Sequence, residues 1–252
     1  MGVGMGFGKT AAIVVIGNEV LSGKVLDQNS PYLVGELRQL GVHVQRIAVI
    51  PDQVEVIAEE IAFCKNRFDW VFTSGGIGPT HDDVTMEGLA TGVGRPLICH
   101  PVLERFLKKI YPGTLNAAQQ KLTFVPEGVD FVYAEGIRIP ILHFENIYVF
   151  PGVPSLLMKK FSAIKERFRG SPFYLSKIFL VEEEYKIAQH LHQTLEKFPY
   201  LLIGSYPIME HPDYRVVITM ESKERDYLEG ASAFLLSMLD EKSVFKMERV
   251  VP

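Results

Sequence analysis

A chain of 252 residues, 47% apolar and 22% charged, is long enough for a large domain with a smaller companion and apolar enough to bury a sizeable core. Its 26 basic and 30 acidic side chains leave a formal charge of −4 and are spread along the whole length, which argues against the broad positive field that binds nucleic-acid phosphates. No stretch reaches the roughly 18 consecutive apolar residues of a membrane span, and no charged segment followed by an apolar core opens the chain. The opening "MGVGMGFGKT" contains Gly8-Lys9-Thr10, similar to the end of a phosphate-binding P-loop. A P-loop follows a strand and opens a helix, whereas this segment precedes the first strand and puts Val3 where the first glycine is needed, so a flexible leader is expected.

"AAIVVI" (11–16) is a continuous apolar run ending at Gly17, as expected of a parallel strand covered on both faces. A loop comes next, then a helix with Asn29 or Ser30 as cap, Pro31 in its first turn and Gly41 as its stop. "VHVQRIAVI" (42–50) reads as a second strand. From Asp52 the apolar positions Val54, Ile57, Ala58, Ile61 and Ala62 recur at helical spacing. "DWVFTS" (69–74) is a third strand, and the pattern turns helical again near Asp83. Residues 100–122 are helical with a break at Pro112-Gly113; 125–144 is β-like and rich in turns; 146–150 is a buried strand; 154–168 is an amphipathic helix. Alternating strands and helices predict an α/β fold with a mostly parallel sheet between helical layers. Beyond Ser171-Pro172 the order becomes strand (173–181), helix (184–197), strand (200–205), strand (213–221) and helix (224–240). That predicts a small α+β domain over 171–252, behind a first domain over 10–170.

In an open parallel sheet, ligands lie beyond the carboxyl ends of the strands, where helix N-termini present free N–H groups. Four strand ends carry suggestive residues: Gly17-Asn18-Glu19, Asp52, Ser74 to Asp83, and Pro151-Gly152-Val153-Pro154-Ser155. In "TSGGIGPTHDDVT", Gly75, Gly76 and Gly78 permit positive φ and close approach to the backbone, so successive amides can form an anion-binding nest. Thr73, Ser74, Thr80 and Thr85 add hydroxyls. A carboxylate beside a bound phosphate is repelled unless a cation lies between, which points to a divalent ion held partly by Asp83. The spacing leaves open the simpler reading in which the glycines only make a turn and Asp82 or Asp83 caps a helix. Asp52 is likewise a helix cap or a catalytic acid, and Glu19 a solvated acid or a ligand contact. G-x-G-x-x-G is not satisfied, since its last position falls on His81. His190 and His192, two apart on a helix, cannot share a face to bind a metal. Trp70, Tyr206, Cys64 and Cys99 are expected to be packing residues.

Three separated segments, "IGNEVLSGKVLDQNS", "VFTSGGIGPTHDDVT" and "FPGVPSLLMKKF", resemble the MoaB/MogA molybdopterin-binding domain in its CinA-like variant, over roughly 11–168; "NAAQQKLTFVPEG" is similar to a further CinA stretch. The tail, with "LLIGSYP" and "YRVVITMES", is similar to the segment that succeeds this domain in eukaryotic FAD synthases and to the small KH-like domain of CinA. The resemblance implies a three-layer α/β/α sandwich whose Gly-rich and Pro-Gly-x-Pro turns bind a phosphorylated pterin or nucleotide. Thr73, Ser74, Gly75, Gly76, Gly78, Thr80, Glu19, Pro151, Gly152, Pro154 and Ser155 would contact the ligand. Asp83 falls on the aspartate of the pattern G-G-x-G-x-x-x-x-D-x-T, and Asp52 on the second acid associated with catalysis or metal. The implied activity is divalent-metal-dependent hydrolysis of a nucleotide pyrophosphate such as ADP-ribose or FAD, with Mg²⁺, Mn²⁺ or Co²⁺ on Asp83 and Asp52. The alternative is a module that binds molybdopterin or a nucleotide without chemistry. Asn18 stands where the family has an acid, and "GIRIPIL" replaces a Gly-Thr-Ala-Pro-Gly turn. The amidohydrolase domain of full-length CinA is not expected. A self-associating cytoplasmic protein, dimer or trimer, free of nucleic acid and membrane, completes the expectation.

Overall fold

The computed structural model describes residues 8–111 and 113–250 and divides them into two compact units, one of Lys9–Arg169 and one that begins at Gly170 and takes in Gly8. The leader before Gly8 and the helix break at Pro112 lie outside the described residues.

The first unit runs β1 (Thr10–Ile16), α1 (Asn18–Leu21), α2 (Asn29–Gln39), β2 (His43–Ile50), α3 (Val54–Lys65), β3 (Trp70–Ser74), α4 (Thr85–Val93), β4 (Leu97–Cys99), α5 (Pro101–Ile110), α6 (Ala117–Lys121), β5 (Phe124–Pro126), β6 (Asp130–Val132), β7 (Ile141–Phe144), β8 (Ile147–Phe150) and α7 (Pro154–Ile164). Its main sheet has the order β2-β1-β3-β8-β7-β6, parallel across the first four strands and antiparallel from β8 to β7 and β6. Successive side chains of a strand point to opposite faces. Ala11, Ile13 and Val15 of β1 accordingly join Leu33, Leu37, Phe72, Phe150 and Phe161 in one core, while Ala12, Val14 and Ile16 join Ile57, Ile61, Val71 and Leu89 in the other. Both faces are buried, which is why β1 reads as an unbroken apolar run and why the unit is a three-layer α/β/α sandwich. Trp70 packs edge-on against Phe168 with ring centroids 5.5 Å apart.

The second unit runs β9 (Tyr174–Leu180), α8 (Glu184–Lys197), β10 (Leu202–Pro207), β11 (Val216–Ser222), α9 (Arg225–Ser237) and β12 (Val244–Val250), with an antiparallel sheet in the order β10-β11-β9-β12. This is the split βαβ arrangement. Its core joins Ile178, Leu180, Val216, Ile218 and Met220 of the sheet to Ile187, Leu228, Ala231 and Leu235 of the two helices. No helix among the described residues is long and apolar enough to cross a membrane.

Several local expectations need correction. Asn29 and Ser30 do not cap α2 but open it, and the Asp27 carboxylate accepts from both of their amides, at 2.9 and 3.1 Å. Cys99 is exposed, unlike the buried Cys64, and Tyr206 is 54% exposed because β10 is an edge strand. The three-residue β4 and four-residue α1 are too short to show a period. In β12 the charges of Lys246, Glu248 and Arg249 mask the apolar residues.

Candidate functional site

Strand register assembles the site. Ile50 of β2 pairs with Ile16 of β1, Val15 of β1 with Ser74 of β3, and Ser74 with Phe150 of β8, so four parallel strands end level with one another. Beyond those ends lies a cavity of about 490 Å³, a size that suits a small organic ligand. Glu19, Gly75, Gly76, Gly78, Asp83, Pro151 and Gly152 line it, and these seven sequence-expected residues are therefore brought together.

The Gly-rich turn is held open from below. Gly75 has φ +106 and its N–H donates to the Phe150 carbonyl at 3.2 Å, joining the turn to β8; a Cβ there would collide with the Ile16 carbonyl oxygen. Gly76 has φ +62, and Thr85 locks both glycines by donating its hydroxyl to the Gly75 carbonyl and its amide to the Gly76 carbonyl, at 2.9 and 3.0 Å. Among the described residues no oxygen accepts from the amides of Gly76, Ile77 and Gly78. Gly75, whose N–H is spent on the sheet, is therefore not available as a ligand donor, and the amides without a protein acceptor begin at Gly76.

Asp83 lines the cavity with its carboxylate against Gly78, where a Cβ would come within 2.6 Å of Oδ2. The same Oδ2 accepts from the Thr80 amide at 2.8 Å and from its hydroxyl at 2.5 Å. Thr80 is therefore turned inward to fix Asp83, and its single hydroxyl proton has Asp82 Oδ1 as an alternative acceptor at 2.6 Å. That hydroxyl is the leading cause holding the Asp82 carboxyl below the ordinary aspartate range. Glu19 is folded back over Gly17, where a Cβ would meet its Oε1 at 2.5 Å. Each of these two cavity carboxylates rests where a glycine has left room.

Other expected residues have different places. Asp52 does not line the cavity: it follows β2, which is separated from β3 by β1 in the sheet. Its Oδ2 accepts the Asn18 amide at 2.7 Å, so it caps α1 rather than the helix after it in the chain. Thr73 and Ser74 are buried beneath the turn. Ser74 Oγ accepts from Asn29 Nδ2 at 2.8 Å, and the same Nδ2 donates to the Gly152 carbonyl at 2.7 Å, so Asn29 ties the Gly-rich turn to the Pro-Gly turn. Pro154 and Ser155 open α7 and are not among the cavity residues. Among the described residues there is no cluster of three carboxylate, imidazole or thiol groups placed to hold a metal.

Two cations were missed in the sequence. Lys121, at the end of α6, donates to the Thr80 carbonyl at 2.6 Å and so closes over the turn. Lys160 of α7 donates to the carbonyls of Ile139 and Pro140 at 2.7 and 3.1 Å, and burial pulls its pKa down to about 8. Val153 before α7, Leu156 in α7 and Ile139, whose carbonyl Lys160 meets, are apolar residues of the same cavity lining. In sequence both lysines lie on amphipathic segments whose polar residues look solvated.

The model of the probable molybdopterin binding domain matches residues 12–169. The chain belongs to that family. The FAD synthase middle domain matches residues 172–248. A protein of Archaeoglobus fulgidus is 33% identical over 91% of this chain and 98% of its own length. A probable FAD synthase of Caenorhabditis briggsae is 28% identical over 92% of this chain, but the match spans only 50% of that protein's length. Among solved structures, the protein CinA from Thermoplasma acidophilum superposes with a TM-score of 0.58 at 27% identity, covering 64% of this chain and 99% of that one. The molybdopterin-binding family match thus coincides with the unit that holds the cavity, and the FAD synthase match with the split βαβ unit.

Proposed function

We propose that this chain is a cytoplasmic, divalent-metal-dependent hydrolase of nucleotide pyrophosphates of the ADP-ribose or FAD type. The observation that carries the reading is the juxtaposition, on one cavity, of three amides with no acceptor among the described residues and a carboxylate fixed by its own loop. The N–H groups of Gly76, Ile77 and Gly78 bind phosphate oxygens, as amides at positive-φ turns do. Asp83 Oδ2 is occupied by Thr80, which sets the carboxylate's orientation before a ligand arrives. The apolar wall from α5 and β5, including Phe106, Leu107 and Phe124, takes the ring end of the ligand and excludes water.

The donor set fits a weakly held ion rather than a closed protein cage: Asp83 and Glu19 line the cavity and Asp52 is engaged elsewhere. Mg²⁺ characteristically takes one or two carboxylates together with substrate phosphates and water. When bound, such an ion would offset the charge of the phosphates beside Asp83 and lower the pKa of a water. The FAD synthase relatives support a nucleotide-processing role for the family architecture.

The match to the probable molybdopterin binding domain favours a second reading, a pterin- or nucleotide-binding module without hydrolysis. One experiment separates the two: incubation with ADP-ribose, FAD, NAD and adenylylated pterin plus Mg²⁺, Mn²⁺ or Co²⁺, with products identified by mass. Cleavage at the pyrophosphate supports the hydrolase; saturable binding with intact ligand under every metal supports the module.

A further inference from the structure

We infer that Lys160 is the charge-selecting residue of the cavity, its ammonium taking an anionic phosphate oxygen of the bound ligand. The inference rests on the cavity being the ligand site and adds a substrate requirement: a phosphate oxygen left available to Lys160.

An ammonium has three N–H donors. Two of those of Lys160 go to the carbonyl oxygens of Ile139 and Pro140, which fix its position but bring no net charge. Among the described residues no carboxylate lies within ion-pair distance of Nζ, in contrast to Lys165 further along the chain, which meets Glu36 at 2.7 Å. A partly desolvated cation without a counter-charge is less favourably placed than a solvated one, and that disadvantage falls on the ligand-free protein. Along α7 and the residue before it, Val153, Leu156 and Lys160 line the cavity together, so a charged group stands in an apolar wall that would otherwise accept a neutral ring. Here the cation is partly desolvated beside the cavity. An anionic oxygen there completes the third hydrogen bond and supplies the missing charge in one step, and charge-assisted hydrogen bonds of this type are about twice as strong as neutral ones. The other charged residues lining the cavity are Glu19, Asp83, Glu87 and Lys121, and substitution of Lys160 leaves all four in place.

Calorimetric titration of the full chain with ADP, inorganic pyrophosphate and adenosine, in the presence of Mg²⁺, tests this. Lys160→Met is expected to weaken ADP and pyrophosphate by roughly 10- to 100-fold and to leave adenosine unchanged. Lys160→Arg, which keeps the charge, is expected to recover most of the loss and also controls for folding. Equal ADP affinity in wild type and Lys160→Met overturns the inference, as does an equal loss for adenosine or a wild type that binds neither anion. Selective loss of ADP binding in a protein that cleaves no pyrophosphate supports the role of Lys160 while removing the hydrolase reading. Pyrophosphate cleavage with ADP affinity untouched by Lys160→Met does the reverse.

Discussion

The two edges of the central sheet use the same kinds of residue in opposite ways. At the amino edge, Asp69 and Asn146 stand just before β3 and β8. Asp69 accepts from Lys9 Nζ at 2.7 Å and from the Thr10 amide at 2.9 Å, while Asn146 Nδ2 donates to the carbonyls of Lys65 and Phe68 at 3.0 and 2.9 Å. At the carboxyl edge the amides of Gly76 to Gly78 and the third donor of Lys160 have no acceptor among the described residues. Both edges carry acids and polar donors. What separates the two edges is whether the donors are already given to protein acceptors, since a part-exposed donor left to water is available to a ligand.

That contrast can be broken most severely at Gly75. Gly75→Ala places a Cβ on the Ile16 carbonyl at a φ that L-residues avoid, and should cost at least about 3 kcal/mol of stability by chemical denaturation, because it disrupts the junction of β1, β3 and β8 under the Gly-rich turn. Asp83→Asn leaves an oxygen for the Thr80 amide but removes the charge. It should reduce pyrophosphate turnover by at least about 100-fold, measured as initial rate, with the urea midpoint little changed. At the other edge, Asn146→Ala strips two carbonyls of their donor and should cost about 2 kcal/mol with ligand affinity intact. Asp52→Ala should cost only about 1 kcal/mol, the loss of a cap on α1, and change turnover by no more than a few-fold.

A further expected effect, reduced by the partial exposure of Lys160, is on pH dependence. Burial lowers the Lys160 pKa in the folded chain to about 8, whereas an unfolded lysine titrates near 10.4. Between those values the unfolded chain binds more protons, so the contribution of Lys160 to stability rises with pH across that window. Urea midpoints at pH 8 and pH 10 should therefore climb more in wild type than in Lys160→Met.

Much of the fold could be read from the chain because β1, β3 and β8 are buried on both faces and α8 has a clear amphipathic period. The bend after β3 was legible because three closely spaced glycines and a proline interrupt the pattern, although their spacing left a plain turn and a ligand loop equally open. The division of labour within it was not. Gly75, Ser74, Thr80 and Asp52 all carry groups able to serve a ligand, and only the folded hydrogen-bond pattern shows that β8, Asn29, Asp83 and α1 have claimed them. Lys160 was hidden for the opposite reason. In sequence it is one of two adjacent lysines in "LLMKKF", and nothing local distinguishes Lys159, which does not line the cavity, from its neighbour that does.

Whether the Gly-rich turn is a phosphate nest is tested most directly by a ¹H–¹⁵N titration of the labelled protein with ADP and Mg²⁺, reading the amides of Gly75 through Gly78. The resonances of Gly76, Ile77 and Gly78 are expected to move and saturate together while that of Gly75, bonded to Phe150, moves least. Saturable binding of ADP that leaves Gly76 to Gly78 unmoved would contradict the assignment.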